Sequence, residues 1–370
     1  MNKKITNETV ICIHEDRLYN LIGLKLAVLS IQTHHPELTI IISCPNPPDE
    51  LVSWVNNLLK VTIISCPEFG KMGWNVKPSL LLRLLESGYA NVIWIDSDII
   101  LRDRIITGIA EHNSDTLVVT EEPYWGQLQG GSFRTHAWGL KIGRSLKSTV
   151  NTGIVRVTNV HIPLLQAWIK MLNHHVYLSA QKMPALQRPL HMIGDQEVLT
   201  ALVCSDIFKN IPVVMLKRGG DIAQCFGAAG YTPYERLKNV LLLKTPSLFH
   251  AMGPKPWLKE NQPPSLFNKN RKFLLNLRDY YEYVSLEVSP YMIVARKYSK
   301  QINEDTSWMH SKTFAGKLLN AISLNNPNLI GLPLAIIDSL AKRLRRVLGI
   351  NRFSISSDHV LAESPFDIKK

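Results

Sequence analysis

Short apolar runs alternate with helical periodicity over the first two thirds of the chain. Residues 9–13, "LTIIIS" from Leu38, "VTIIS" from Val61 and residues 92–95 each read as buried strands. They are short, rich in β-branched side chains and bounded by polar or Pro-rich segments. Between them, residues 19–32, 50–59 and 78–87 place apolar side chains at helical spacing, the last opening at a proline. Further on come "TLVVTEE" at Thr116, "NTGIVRV" at Asn151, helices over 163–177 and 194–203, and short strands near Val213 and Leu241. A Gly/aromatic loop, "YWGQLQGGSFRTHAWG", interrupts the series. The alternation predicts an α/β fold, an open and mostly parallel sheet with helices on both faces.

A polar, Pro-containing stretch, "KENQPPS" at 259–265, marks a boundary. Residues 1–264 are expected to form the α/β domain and 265–370 a basic, mostly helical C-terminal extension. Within the extension, residues 333–349 place Ile336, Ile337, Leu340, Leu344, Val347 and Leu348 on one side. Lys342, Arg343, Arg345 and Arg346 crowd the other positions. Such a helix either docks on the main domain with a solvated basic side or lies on an anionic membrane surface.

The length of 370 residues suits one large α/β domain plus an appendage. The formal charge of +12 favours anionic partners: nucleotides, phosphates or an acidic membrane face. Nucleic acid is not expected, because Lys and Arg are dispersed and no nucleic-acid motif is present. The 5 cysteines are far apart without CxxC spacing, which reads as buried reduced thiols rather than a zinc site. The N-terminal "MNKKITNETVICIH" has no apolar h-region, and no long uncharged apolar run follows. Neither a signal peptide nor a transmembrane helix is therefore expected. The expected location is cytoplasmic, with the inner face of a membrane as the peripheral site if 333–349 binds one.

The stretch "NVIWIDSDIILRD" carries the sharpest chemistry. Asp96 and Asp98 follow a buried strand and stand two residues apart, so they point the same way. They would flank the crevice at the carboxyl ends of the strands, where open α/β sheets bind ligands. Two such carboxylates repel, and a divalent cation would relieve them while also taking phosphate oxygens from a substrate. The plainer reading is a turn cap beside a solvated acid. A dehalogenase-type phosphatase is disfavoured, because Ile100 stands where Thr or Val is needed and the motif follows a later strand. An EF-hand lacks its further acids and its Gly after Asp98. A nucleotidyltransferase lacks a Gly-rich loop in "CIHEDRLYN".

Four segments then stand in order: "HEDRLYNLIGLKLAVLSI", "WIDSDIIL", "NTGIVRV" with "GDQEVLTALV", and "FHAMGPKPW". Together they resemble the GT-A glycosyltransferases, most closely the retaining family that contains glycogenin and the bacterial lipooligosaccharide galactosyltransferases. The resemblance spans residues 10–257. It implies a GT-A nucleotide-diphospho-sugar transferase fold and transfer of a sugar from a UDP-sugar to a glycan or lipid-linked acceptor. It also implies a Mn²⁺ or Mg²⁺ ion held by Asp96, Asp98 and His250, with Ser97 between the two acids. Gly253 and Lys255 would meet the diphosphate; the loop has one residue, Pro254, where the family commonly has two.

Ile13, His14, Asp16 and Tyr19 occupy the base-binding place, with Tyr19 matching a stacking tyrosine. The Asp16–Tyr19 spacing is one residue longer than in glycogenin-like chains. Lys77 stands where relatives reach the donor with a basic residue. Asn151, Asp195 and Gln196 match sugar-facing positions, although Asp195 also reads as a helix N-cap. Each residue has its plain counterpart: a packed Tyr19, a solvated Lys77, a satisfied loop His250, a rigid turn at "GPKPW". Glu121, Glu122 and Trp125 are candidates for the acceptor side, with "GQLQGG" as a lid.

Retention leaves two routes. A covalent intermediate would need Asp195 or Glu197 as nucleophile. A front-face substitution, in which the departing phosphate oxygen accepts the acceptor's proton, needs none and is preferred. Two other functions remain on the sequence: a non-catalytic sugar-nucleotide or membrane-surface binding protein, and a metal-dependent phosphohydrolase or nucleotidyltransferase.

Overall fold

The computed structural model describes residues 6–122, 130–266, 272–302, 304–349 and 365. Its strands are β1 (Thr6–His14), β2 (Thr39–Ser43), β3 (Val61–Ile64), β4 (Tyr89–Ile95), β5 (Ile99–Leu101), β6 (Leu117–Glu121), β7 (Val150–Thr158), β8 (Val213–Leu216), β9 (Ile222–Cys225) and β10 (Leu248–Ala251). The helices up to the site are α1 (Leu21–His34), α2 (Asp49–Asn56), α3 (Lys77–Glu86), α4 (Ile106–Ala110), α5 (Gly130–Ala137), α6 (Ile162–Leu172), α7 (His175–Gln181) and α8 (Asp195–Val203). Beyond it come α9 (Pro233–Leu241), α10 (Phe273–Glu287), α11 (Pro290–Ala295), α12 (Phe314–Ser323) and α13 (Leu332–Val347).

Seven strands form the main sheet in the order β3-β2-β1-β4-β7-β6-β8. β7 runs antiparallel to both β4 and β6, and every other pairing is parallel. This is the mixed, mostly parallel sheet flanked by helices that was expected. Residue alternation along β1 sorts the core into two layers. Val10 and Cys12 face α3, α6 and α8 with Leu80, Leu84, Trp168 and Leu202. Ile11 and Ile13 face α1 and α2 with Leu24, Val28, Ile31 and Val55. Each such fully buried aliphatic side chain contributes about 1.5–3 kcal/mol relative to exposure.

A second, three-stranded sheet has the order β5-β10-β9. β10 pairs antiparallel with β5 in a register that sets His250 opposite Ile99. β5 begins directly after the acidic turn, so this register brings His250 beside Asp98.

Residues beyond 264 share a core with residues before it. Tyr291, Met292, Trp308 and Met309 pack with Leu26, Leu29, Phe249 and Trp257. Arg236 on α9 is fully buried and donates to the carbonyls of Tyr231 (2.7 Å), Ala228 (2.7 Å) and Ile330 (2.6 Å).

Two local expectations are corrected. The segment near Leu241 is the end of α9, not a strand. Thr232 and Glu235 cap that helix reciprocally, with Thr232 N–H donating to Glu235 Oε2 at 2.7 Å. The apolar run that suggested a strand is on the surface, Leu241 at 82% and Leu243 at 95% exposure. The helix expected over 163–177 is two helices, α6 and α7, broken at Asn173 and His174. On α13, Ala335 is buried, but Ile336, Ile337, Leu340, Leu344, Val347 and Leu348 are all exposed. The first turns of α13 do pack on α9, and Leu334 packs against Ala228, Val288 and Ile330, while those six apolar residues stay exposed. All 5 cysteines are buried and unpaired.

Candidate metal and diphosphate site

β4 delivers the acids and the neighbouring strands fix them. Asp96 N–H donates to Gly153 O on β7 at 2.8 Å, and Ala251 N–H on β10 donates to Asp98 O at 3.0 Å. Ligand atoms of Asp96, Asp98 and His250 lie within 4.8 Å of one another. His250 Nε2 is 3.1 Å from Asp98 Oδ1 and 3.9 Å from Asp96 Oδ2. His250 Nδ1 is buried without a hydrogen-bond partner. Gly153 makes room for the ring, since a Cβ there would come 2.9 Å from His250 Cε1 and 2.9 Å from Asn151 Oδ1. Two carboxylates and an imidazole converging in this way form a donor set that fits a divalent cation.

Two lysines offset the acids. Lys77, at the start of α3, is 4% exposed. Its ammonium lies 3.1 Å from Asp96 Oδ1 and 3.7 Å from Asp195 Oδ2, and donates to Thr152 Oγ1 at 2.9 Å. Burial would lower its pKa, but Asp195 and Asp96 outweigh burial and raise it. Lys255 donates to Asp98 Oδ2 and to Ala251 O, the latter at 2.6 Å. Burial pushes the Asp98 carboxyl up, yet Lys255 and His250 hold it well below the usual carboxylate range. Despite the short "GPKPW" loop, Lys255 therefore aims into the crevice. Gly253 supports that turn at φ +68, a backbone state that favours glycine, against the ring of Phe226.

Beneath the acidic turn lies a polar knot that the sequence did not single out. Asn20 is fully buried; its amide donates to Glu15 and to Ser97 Oγ (3.2 Å), and its Oδ1 accepts from Trp257 Nε1 at 3.1 Å. Ser97 Oγ donates to Glu15 Oε2 at 2.6 Å. Ser97 is thus a tether of the turn. Gly23 on α1 sits against the same parts: a Cβ would come 2.7 Å from the Trp257 ring and 3.0 Å from Ser97 O. The one trace of this knot in the sequence is a polar Asn at the mouth of an otherwise apolar helix.

Among the residues expected to face the sugar, Asn151 Nδ2 donates to Glu122 Oε2 (3.1 Å) and Gln196 Oε1 (3.3 Å), and Gln196 Nε2 donates to Glu122 Oε2 at 2.9 Å. Asp195 Oδ2 accepts from Thr152 Oγ1 at 2.8 Å. Burial pushes the Asp195 carboxyl up against the pull of Lys77. Gly194, not Asp195, is the N-cap of α8, so the capping role is not realised. Glu197 is sealed inside against Arg134.

Of the residues expected at the base, Ile13 turns its side chain into the core and offers only backbone. His14 Nδ1 is 3.0 Å from Ser43 Oγ, its ring stacks near Trp94, and burial lowers its pKa. Asp16 lies 4.0 Å from His14, and Tyr19 stands 58% exposed beside the guanidinium of Arg17. Glu121 is tied to Lys217 at 2.8 Å. Trp125 and most of the "GQLQGG" loop fall outside the described residues.

The chain is similar to glycosyltransferases of known structure. The galactosyltransferase LgtC, solved with donor and acceptor sugar analogs, overlaps 73% of this chain and 94% of its own at 15% identity and a TM-score of 0.42. The glycosyltransferase GlyE of Streptococcus pneumoniae TIGR4 overlaps 83% and 66% at 14% identity, TM-score 0.41. The bifunctional WbbM overlaps 80% and 52% at 11% identity, TM-score 0.45. No protein-family model and no curated protein matches the sequence. At these scores the residues of the crevice, not the overlap, carry the function proposed below.

Proposed function

We propose that this protein is a glycosyltransferase that uses a divalent cation, Mn²⁺ or Mg²⁺, and moves a sugar from a UDP-sugar to a glycan or lipid-linked acceptor with retention. The observation that carries it is the convergence of Asp96, Asp98 and His250 between two ammonium groups at the carboxyl end of β4.

Asp96, Asp98 and neutral His250 would hold the cation, which when bound supplies Lewis-acid neutralisation of charge on a leaving diphosphate. Lys255 exchanges its contact with Asp98 for a phosphate oxygen, adding positive charge where the bond breaks. Lys77 stays under the site and fixes Asp96 and Asp195. Trp94 Nε1 donates to Asp96 Oδ1 at 2.7 Å and sets that carboxylate's rotation. Asn151 and Gln196, held by Glu122, present amides to the sugar, and Asp195 accepts from its hydroxyls. Glu197 is committed to Arg134 and Asp195 to Thr152 and Lys77. That favours front-face substitution over a covalent intermediate. His14, Asp16, Tyr19 and the backbone of Ile13 line the base side.

The exposed apolar and cationic faces of α13 support peripheral attachment to an anionic membrane. Among the described residues no helix is long and apolar enough to cross one.

The test is UDP release from a panel of UDP-sugars with Mn²⁺, for the native chain and for Asp98→Asn. Turnover lost in the variant is expected. If no donor is bound or consumed, or if the variant behaves as native, the reading fails. Phosphate release without a sugar product would instead identify a phosphohydrolase.

A further inference from the structure

A cleft of about 320 Å³ lies in the C-terminal extension, away from the acidic turn. It is lined by Arg296, His310, Ser311, Lys317 and Asn320. None of the five is acidic. Arg296 is half-buried and donates to three neutral acceptors: Met309 O at 2.8 Å, Asn320 Oδ1 at 3.2 Å and Asn325 Oδ1 at 3.4 Å. Burial draws its guanidinium below the usual range, and among the described residues no carboxylate offsets this.

The acid packed beside the cleft is Glu287, and it is fully committed. Its carboxylate accepts from Lys312 N–H (2.6 Å), Thr313 N–H (3.3 Å) and Thr313 Oγ1, and faces Lys259 Nζ at 3.4 Å. The cleft is left with a net positive lining from Arg296 and Lys317, with His310 beside them, while Ser311 and Asn320 are tied to each other and to the Glu287 carbonyl, and Asn320 also to the Gly316 carbonyl. A guanidinium fork, a flexible ammonium and an imidazole around a small open volume match the tetrahedral oxygens of a phosphate group.

The surroundings are apolar. On α12, Phe314, Leu318 and Ile322 recur at every fourth position and are all exposed, Phe314 at 81%. Lys317 stands next to this stripe on the same helix. We propose that the cleft binds the phosphate of an anionic ligand, with the α12 stripe meeting the apolar part of a phospholipid when the phosphate is a headgroup. The cleft shares no lining residue with the diphosphate crevice or with α13, and it does not rest on the transfer reading.

The experiment uses the full chain without divalent metal. Binding of inorganic phosphate is followed by ³¹P line broadening. Co-sedimentation is measured with phosphatidylcholine vesicles with and without phosphatidic acid. Lys317→Glu and His310→Ala alter exposed side chains, and Leu340→Asp on α13 is the control. Loss of one charge-assisted contact weakens binding about tenfold. Reduced binding of both probes in the cleft variants supports a general phosphate site. Reduced vesicle binding alone supports the lipid headgroup. The proposal is overturned if Lys317→Glu and His310→Ala bind both probes as the native chain does. It is equally overturned if only Leu340→Asp loses vesicle binding; that result would leave the α13 reading standing.

Discussion

The ammonium of Lys255 donates to the carboxylate of Asp98 across 157 positions of chain. The lysine offsets the charge of Asp98, and under the proposed function the same ammonium would lie within reach of the leaving group. Lys255→Ala is expected to lower kcat/KM for the donor about a hundredfold, with Lys255→Arg recovering part of it. Steady-state kinetics with a UDP-sugar check this.

Removing the divalent cation should weaken donor binding sharply, and Asp98→Asn should reproduce that loss at saturating Mn²⁺. Calorimetric titration of UDP with and without a chelator measures it. Equal affinity in both conditions would exclude the metal role.

Lys77 separates two acids in a buried place. Lys77→Met leaves Asp96 and Asp195 uncompensated and should cost about 3 kcal/mol in urea unfolding. The Lys77→Met/Asp195→Asn pair should cost less than the sum of its parts, because the charge left behind is removed as well.

His161 couples the fold to pH. Its Nδ1 accepts from Thr158 N–H at 3.0 Å and its Nε2 lies 3.1 Å from Asp115 O, so the neutral ring is the bound form. Burial lowers its pKa from 6.5 to about 4. Between those values the unfolded chain holds more protons than the folded one. The contribution is therefore fully present above 6.5, falls as pH drops towards 4, and is then exhausted. In His161→Gln the unfolding free energy should fall less steeply with acid over that window.

Leu340→Asp on α13 should reduce flotation with anionic vesicles about tenfold, and added salt should reduce native binding in the same sense. Unchanged flotation in both cases would remove α13 from any membrane role.

The main sheet was legible because its strands are β-branched apolar runs bounded by polar or Pro-rich segments. β5, β9 and β10 were not, because they become strands only by pairing with segments far away in the chain, which no local pattern marks. They exist because the acidic turn and the His250 segment pair with each other. In the crevice, Asp96, Asp98, His250 and Lys255 stood out by residue type and order. Glu15, Asn20 and Thr152 did not, because their value arises only on closure. Asn20 and Ser97 are 77 positions apart, and nothing local marks them as partners. The Leu241 strand failed for the opposite reason: an apolar run sits on the surface at a helix end.

The missing side chain at Gly23 has a consequence for how this molecule can change. Helix α1 touches both the acidic turn and the Trp257 ring there, with no slack for even a methyl group. A mutation at that spot would push on the two halves of the crevice at once. The acidic turn and the Trp257 loop are therefore mechanically coupled at one residue, so a change in either is felt by the other through Gly23.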